Sequence, residues 1–311
     1  MPFFSIIIPL YNKEAFIENT IKSVLSQTFT DFEVIVVNDG STDKSLEKIN
    51  GIKDSRILIS NQENSGASAT RNKGLTLASS DYIAFLDADD LWLEDHLQTL
   101  YTLIQDFPQA GIFASRYQLV FKNNHVSIPE FKDVANDFRG IITDYFESSL
   151  NYAVATSSSI VVPAKIFKEL GLFKTYISSG QDTDMWLRIA LKYPVAISDK
   201  VTASYLHFID NSLSKTSILD KKIKQFSDYQ EDEKQRPSLK HYLDLYRMEY
   251  ALQYKIAGEQ TKSEALFKDI LLKNVSWKSK MLYRLPRFVL VQLLNFKRFL
   301  RNMGIDFSVY N

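Results

Sequence analysis

Tyr82-Ile83-Ala84-Phe85-Leu86-Asp87-Ala88-Asp89-Asp90 runs from five apolar positions straight into three carboxylates within four residues. A short unbroken apolar run of this kind reads as a strand buried on both faces. Carboxylates crowded at its end must repel one another or share a cation. No His or Cys stands among them, and oxygen-only donors favour a hard ion, Mg²⁺ or Mn²⁺. The plainer alternative is a helix N-cap, with Asp90 capping a helix over 91–107 and the other acids solvated.

The same texture repeats towards the amino terminus. Ser5-Ile6-Ile7-Ile8-Pro9 and Phe32-Glu33-Val34-Ile35-Val36-Val37 read as two more buried strands, and residues 56–60 as a third. Phe16, Ile17, Ile21, Val24 and Leu25 fall at helical spacing between the first two. Ser41 or Thr42 can cap a helix through Ile49, and residues 67–78 read as a helix. This alternation predicts an α/β fold with a mostly parallel sheet and right-handed crossovers. Ligands in such sheets bind beyond the carboxyl ends of the strands. Residues 9–14, 38–43 and 87–90, all polar, are therefore expected to open onto one crevice.

Downstream, residues 111–118 and 157–162 read as strands, and 163–170 and 182–192 as helices. From 217 onward the pattern is nearly all helical, including two helices over 242–257 and 261–272. The expected division is a catalytic domain over 1–214 and a helical carboxyl-terminal region over 215–311.

Thirty-seven Lys and Arg balance 37 Asp and Glu, which argues against nucleic acid as a partner. The absence of cysteine removes disulfides, thiolate catalysis and thiolate metal sites, and fits a reducing cytoplasm. No basic leader precedes the first strand, and no stretch approaches the roughly 20 apolar residues of a membrane span. Residues 262–301 nevertheless carry ten basic side chains against two acidic ones. A basic amphipathic segment can lie on an anionic membrane, so the expected location is cytoplasmic, peripheral at the inner face of the plasma membrane. An ordinary helical cover for the core is the alternative.

Five segments together, SIIIPLYNKE, FEVIVVNDGSTD, ENSGASATRNKGL, YIAFLDADD and GQDTDMWLRIA, resemble glycosyltransferase family 2 in order and spacing over about residues 3–214. The resemblance implies a GT-A type nucleotide-sugar-binding domain. It places Pro9, Tyr11, Glu14 and Asp39 around a uracil-like base, Arg71 near the donor pocket, Asp87 on the donor and Asp89 on the metal. It makes Asp182 the general base, with Asp184 as the fallback, although Gln181 replaces the usual Glu. Asn38 stands where Asp is common. His207 is all that remains of a Tyr-Arg-x-His string and becomes a candidate for the metal or diphosphate, with a structural histidine as the alternative. The Gln-x-x-Arg-Trp signature of processive synthases is missing.

The implied activity is inverting transfer of one sugar from a nucleotide-diphosphate sugar, a UDP-sugar by preference, to a hydroxyl of a glycan or lipid-linked acceptor. Assembly of a bacterial surface glycan is the setting. A non-catalytic nucleotide-sugar-binding scaffold and a sugar-1-phosphate nucleotidyltransferase are the rival readings. The latter lacks its Gly-rich basic loop at the amino terminus.

Overall fold

A computed structural model describes residues 1–121, 125–206 and 217–302, with side chains to residue 296. Strand β1 (Phe4–Leu10) forms where the isoleucine run demands it, and Phe4, Ile6, Ile7 and Ile8 are fully buried. It pairs in parallel with β2 (Phe32–Asp39) and β4 (Tyr82–Phe85), and β2 pairs in parallel with β3 (Ile57–Gln62). Between them lie α1 (Ile17–Leu25), α2 (Ser45–Asn50) and α3 (Ala67–Leu77). Helix α3 approaches β1 so closely that a Cβ at Gly74 would stand 2.4 Å from Ile7 Cγ2. Only glycine fits that contact.

This half is wholly parallel, as its pattern predicts. The sheet then changes character. Strand β5 (Leu91–Trp92) and helix α4 (His96–Asp106) precede β6 (Ile112–Val120), β7 (Val126–Ser127), β8 (Gly140–Ile141) and α5 (Tyr145–Ser148). Next come β9 (Ile160–Pro163), α6 (Ala164–Leu170), α7 (Gln181–Lys192) and the long β10 (Val195–Leu206). The order across the sheet is β3-β2-β1-β4-β9-β6-β10-β5, with β7 on β6 and β8 on β10. Strand β9 is antiparallel to both β4 and β6, whereas β6 and β10 are parallel.

One local expectation fails. Leu91 and Trp92 do not begin a helix; they pair with Ser204 and Ala203 of β10. The Trp92 indole donates to the Ser158 carbonyl (2.6 Å), and the helix waits until His96. Tertiary pairing overrides a helical apolar pattern here.

From residue 217 the described chain is mostly helical: α8 (Gln230–Gln235), α9 (Pro237–Ala257), α10 (Gln260–Lys268), α11 (Trp277–Arg284) and α12 (Arg287–Asn302). Proline at the first position of α9 and left-handed Gly258 after its last suit a helix start and stop. Leu239, Tyr242, Leu243, Tyr250 and Tyr254 of α9 belong to the same hydrophobic core as the sheet. Its other side, through Met248, Ala251 and Leu252, joins a smaller core with Ile270, Val275, Tyr283 and Leu290. Helix α9 thus serves two cores.

Candidate active site

The parallel register sets Leu10 level with Asn38 and Ile7 level with Phe85, so the loops after β1, β2 and β4 leave the sheet on one side. The first two loops are laced together. Thr42 N donates to Asn12 Oδ1 (2.8 Å), Asn12 N to Ser41 Oγ (3.1 Å) and Lys13 N to Ser45 Oγ (2.8 Å). Glu14 Oε2 accepts from Lys44 N (2.8 Å), and Glu14 N donates to Asp43 Oδ2 (3.0 Å). Glu14 therefore ties two loops together, a role beyond the base contact expected of it. Pro9 is the one partly exposed position of β1, Leu10 after it is fully buried, and Tyr11 just beyond the strand stands 46% exposed, available for stacking.

Asp39 is buried and accepts from Gln62 Nε2 (2.8 Å), Ser65 N (2.8 Å) and Gly66 N (2.9 Å). A carboxylate offers about four lone-pair sites, which leaves one for a ligand N–H. Asn38 is structural: its amide donates to Asn61 Oδ1 (3.0 Å) and its carbonyl accepts from Ser41 N (3.1 Å).

The acidic triplet divides into three environments. Asp87 Oδ1 accepts from Arg71 Nη2 (2.7 Å), and Asp89 Oδ2 from Lys13 Nζ (2.5 Å). Asp90 does not cap a helix. It is buried, accepting from Ser158 Oγ (2.5 Å), in the turn before β9, and from Leu206 N (3.2 Å), at the end of β10, and so ties the segment after β4 to both. Burial pushes its carboxyl well above the usual range, with Asp87 and Asp89 adding to the effect. Asp87 keeps 33% of its side-chain surface but is hemmed in elsewhere. Burial raises it too, opposed by Arg71 and reinforced by Asp89 and Asp182. Arg71 is itself buried, and its Nε and Nη1 have no hydrogen-bond partner among the described residues.

Asp182 lies in the first turn of α7, behind Gly180 in the left-handed region (φ 74°). Its Oδ1 accepts from Thr183 N (2.7 Å). It shares a cavity of about 260 Å³ with Asp87, Ser157, Ser158, Tyr117 and Tyr205. Asp184 is removed as a fallback base. It is bound by Lys174 (3.3 Å), Arg188 (3.0 Å) and Tyr229 (2.5 Å) and is fully buried, out of reach of an acceptor hydroxyl. A larger cavity, about 360 Å³, lies away from the triplet between α5, α7 and the start of α9, and its acid, Asp144, caps α5. Chemistry, not size, identifies the site. His207 lies outside the described residues, and no cluster of three or more metal-ligating side chains occurs among those described.

Two features escape the sequence reading. Tyrosines 145, 205, 242, 246 and 250 gather on the Asp182 side; burial is the main cause that raises their phenols, Tyr246 to about 12, with the Asp182 charge a minor contributor to each. The spacing of Tyr242, Tyr246 and Tyr250 on one helical face was the available signal. Lys224 is the second. It is 1% exposed, its Nζ lacks a hydrogen-bond partner among the described residues, and it lies 4.6 Å over the Tyr246 ring. Burial lowers its pKa to about 8 against the pull of Asp184 and Asp182. Nearby, Ser178 N donates to the Lys222 carbonyl and Lys222 N to Ser178 Oγ (both 2.8 Å), fastening the loop before Asp182 to the carboxyl-terminal segment.

Comparison with known proteins fits this arrangement. GlyA, a glycosyltransferase of Streptococcus pneumoniae serotype 4, is 34% identical over 176 residues, 53% of this chain and 25% of that protein. WfaP of Escherichia coli, a UDP-Glc:alpha-D-GlcNAc-diphosphoundecaprenol beta-1,3-glucosyltransferase, is 39% identical over 131 residues, 37% of this chain and 52% of that protein. The chain thus spans a quarter of one relative and about half of the other. The crystal structure of S. aureus TarS 1-349 in complex with UDP-GlcNAc matches 98% of this chain and 93% of that one, with a TM-score of 0.64 at 18% identity, a likeness of fold. The profile of Glycosyl transferase family 2 matches residues 5–171, more than half of the chain and all of the laced loops, so the chain belongs to glycosyltransferase family 2.

Proposed function

We propose that this glycosyltransferase moves one sugar from a UDP-sugar to an acceptor hydroxyl with inversion, using Asp182 as the general base. The observation that carries the reading is the shared cavity: Asp87, at the end of β4, and Asp182, at the start of α7, line the same space. On this reading the nucleotide lies along 9–14 and 38–43, with Tyr11 against the base and the open lone pair of Asp39 receiving an imide N–H. Arg71 orients Asp87 towards the donor. Asp182 takes the acceptor hydroxyl proton as the new C–O bond forms at the anomeric carbon. The bond from that carbon to the diphosphate breaks on the opposite face, and its electron pair leaves with the nucleotide.

Mg²⁺ or Mn²⁺ fits the donor side. Asp89 offers hard oxygens, and the Lys13 ammonium against it marks a position that accepts a cation. Such ions are held by one or two carboxylates and complete their shell with phosphate oxygens and water. Bound there, the ion supplies Lewis-acid stabilisation of the leaving diphosphate. UDP release measured with and without acceptor tests the whole reading. Release that no candidate acceptor accelerates would favour a binding scaffold instead.

The relative WfaP, by its name, acts on a diphosphoundecaprenol-linked sugar. A lipid-linked acceptor in bacterial surface glycan assembly is proposed here too, with the chain held peripherally at the inner face of the plasma membrane. Trp277, Met281, Phe288 and Phe296 stand exposed on α11 and α12 within the basic segment. No helix among the described residues is long and apolar enough to cross a membrane. Sedimentation with anionic but not neutral vesicles at low salt is expected, and failure to sediment would remove the membrane proposal.

A further inference from the structure

The reading above gives Asp89 to a divalent cation, and the present inference rests on that assignment. Asp89 already has a partner. Lys13 Nζ lies 2.5 Å from its Oδ2, and the two side chains keep only 18% and 17% of their surfaces. The contact joins the loop after β1 to the end of β4, 76 residues apart. Nor is Lys13 a loosely tethered surface lysine. Its backbone is pinned to Ser45, and the preceding Asn12 holds a left-handed conformation (φ 50°) locked by its bonds to Ser41 and Thr42. The loop is built to aim Lys13 inward.

The neighbouring acids are different. Asp87 is held by buried Arg71, and Asp90 by Ser158 and Leu206 N, so both have fixed partners. Asp89 alone of the three is paired with a long flexible stem carrying a compact charge. A divalent ion and an ammonium cannot both take the same carboxylate at contact distance without strong repulsion. A nucleoside diphosphate changes the balance, because its oxygens receive the displaced ammonium and complete the shell of the ion.

We propose that Lys13 is a resident counter-ion that occupies the cation position on Asp89 until a nucleoside diphosphate arrives, so that divalent ion competes with Lys13 and binds cooperatively with the nucleotide. The coupling is reciprocal: whatever factor the nucleotide adds to ion affinity, the ion adds to nucleotide affinity. Removing the ammonium should then tighten ion binding to the nucleotide-free protein while shrinking the coupling.

The test is titration of the full chain with Mn²⁺, read by the paramagnetic resonance signal of free ion, with and without UDP. The wild-type protein, Lys13→Met, Lys13→Gln and Asp89→Asn are compared, each checked for a native melting transition. Both Lys13 variants are expected to bind Mn²⁺ about tenfold tighter than wild type without UDP, a gain of about 1.4 kcal/mol. They should also show a smaller further gain when UDP is added. Asp89→Asn should lose the ion in both conditions. Unchanged or weaker nucleotide-free Mn²⁺ affinity in both folded Lys13 variants, with Asp89→Asn still losing the ion, would overturn the role of Lys13 and leave the cation on Asp89. If Asp89→Asn binds Mn²⁺ as wild type does, with and without UDP, the cation assignment falls and this inference with it.

Discussion

On the wall proposed to hold the donor, Asp39, Asp87 and Asp89 stand at or just beyond the ends of the parallel strands β2 and β4, and each is matched to its own protein partners. On the wall proposed to receive the acceptor, Asp182 sits at a helix start among tyrosines drawn from α5, β10 and α9, with Lys224, which lacks a hydrogen-bond partner among the described residues, close by. The first wall is assembled by strand register and short polar loops. The second depends on a distant helix packing back onto the sheet.

The sharpest way to separate the walls is Asp182→Asn. It should lower transfer by roughly 10²–10⁴-fold, the usual contribution of a general base. UDP affinity, measured by calorimetry, should stay within about twofold. Loss of UDP binding in parallel would show that the two walls act as one. Leu243→Ala attacks the dependence of the second wall on α9. This fully buried side chain should cost roughly 2–5 kcal/mol in urea unfolding, in one cooperative transition. Two transitions would mean that the helical region folds apart from the sheet.

Lys224 gives an effect of opposite sign. Its pKa is lowered to about 8 in the folded protein, so the unfolded chain binds more protons between that value and about 10.5. The burden on stability is full below pH 8 and disappears as pH rises to about 10.5. Lys224→Met should therefore stabilise the protein by up to about 3 kcal/mol at pH 7, and by little near pH 10.5. Equal stabilisation at both pH values would show that charge burial is not the cause. The smallest expected change is on the donor wall. Asn12→Ala removes the acceptor for Thr42 N and puts a β-carbon in left-handed backbone, for about 1–2 kcal/mol in urea unfolding.

The two walls also differ in how far the sequence reveals them. Buried parallel strands announce themselves as apolar runs, so β1 to β4 and their polar ends were readable within a residue or two. The fate of each acid was not. Asp90 reads as a helix cap and is a buried link to Ser158 and Leu206, because its partners come from the turn before β9 and the end of β10, more than 65 residues away. Glu14 read as a ligand contact, and its fastening to Lys44 depends on how two loops meet. Asp184 and Asp182 are two residues apart on a helix, and local pattern cannot tell which faces the crevice.

The fastening of Ser178 to Lys222 has a practical consequence for building hybrid enzymes. A chimera joined after β10 would keep every recognisable motif of the family. It would discard the strand of chain that holds the loop before Asp182, together with the aromatic helix behind it. Exchange of acceptor preference between relatives should therefore carry α9 along with the loop it grips, as one cassette.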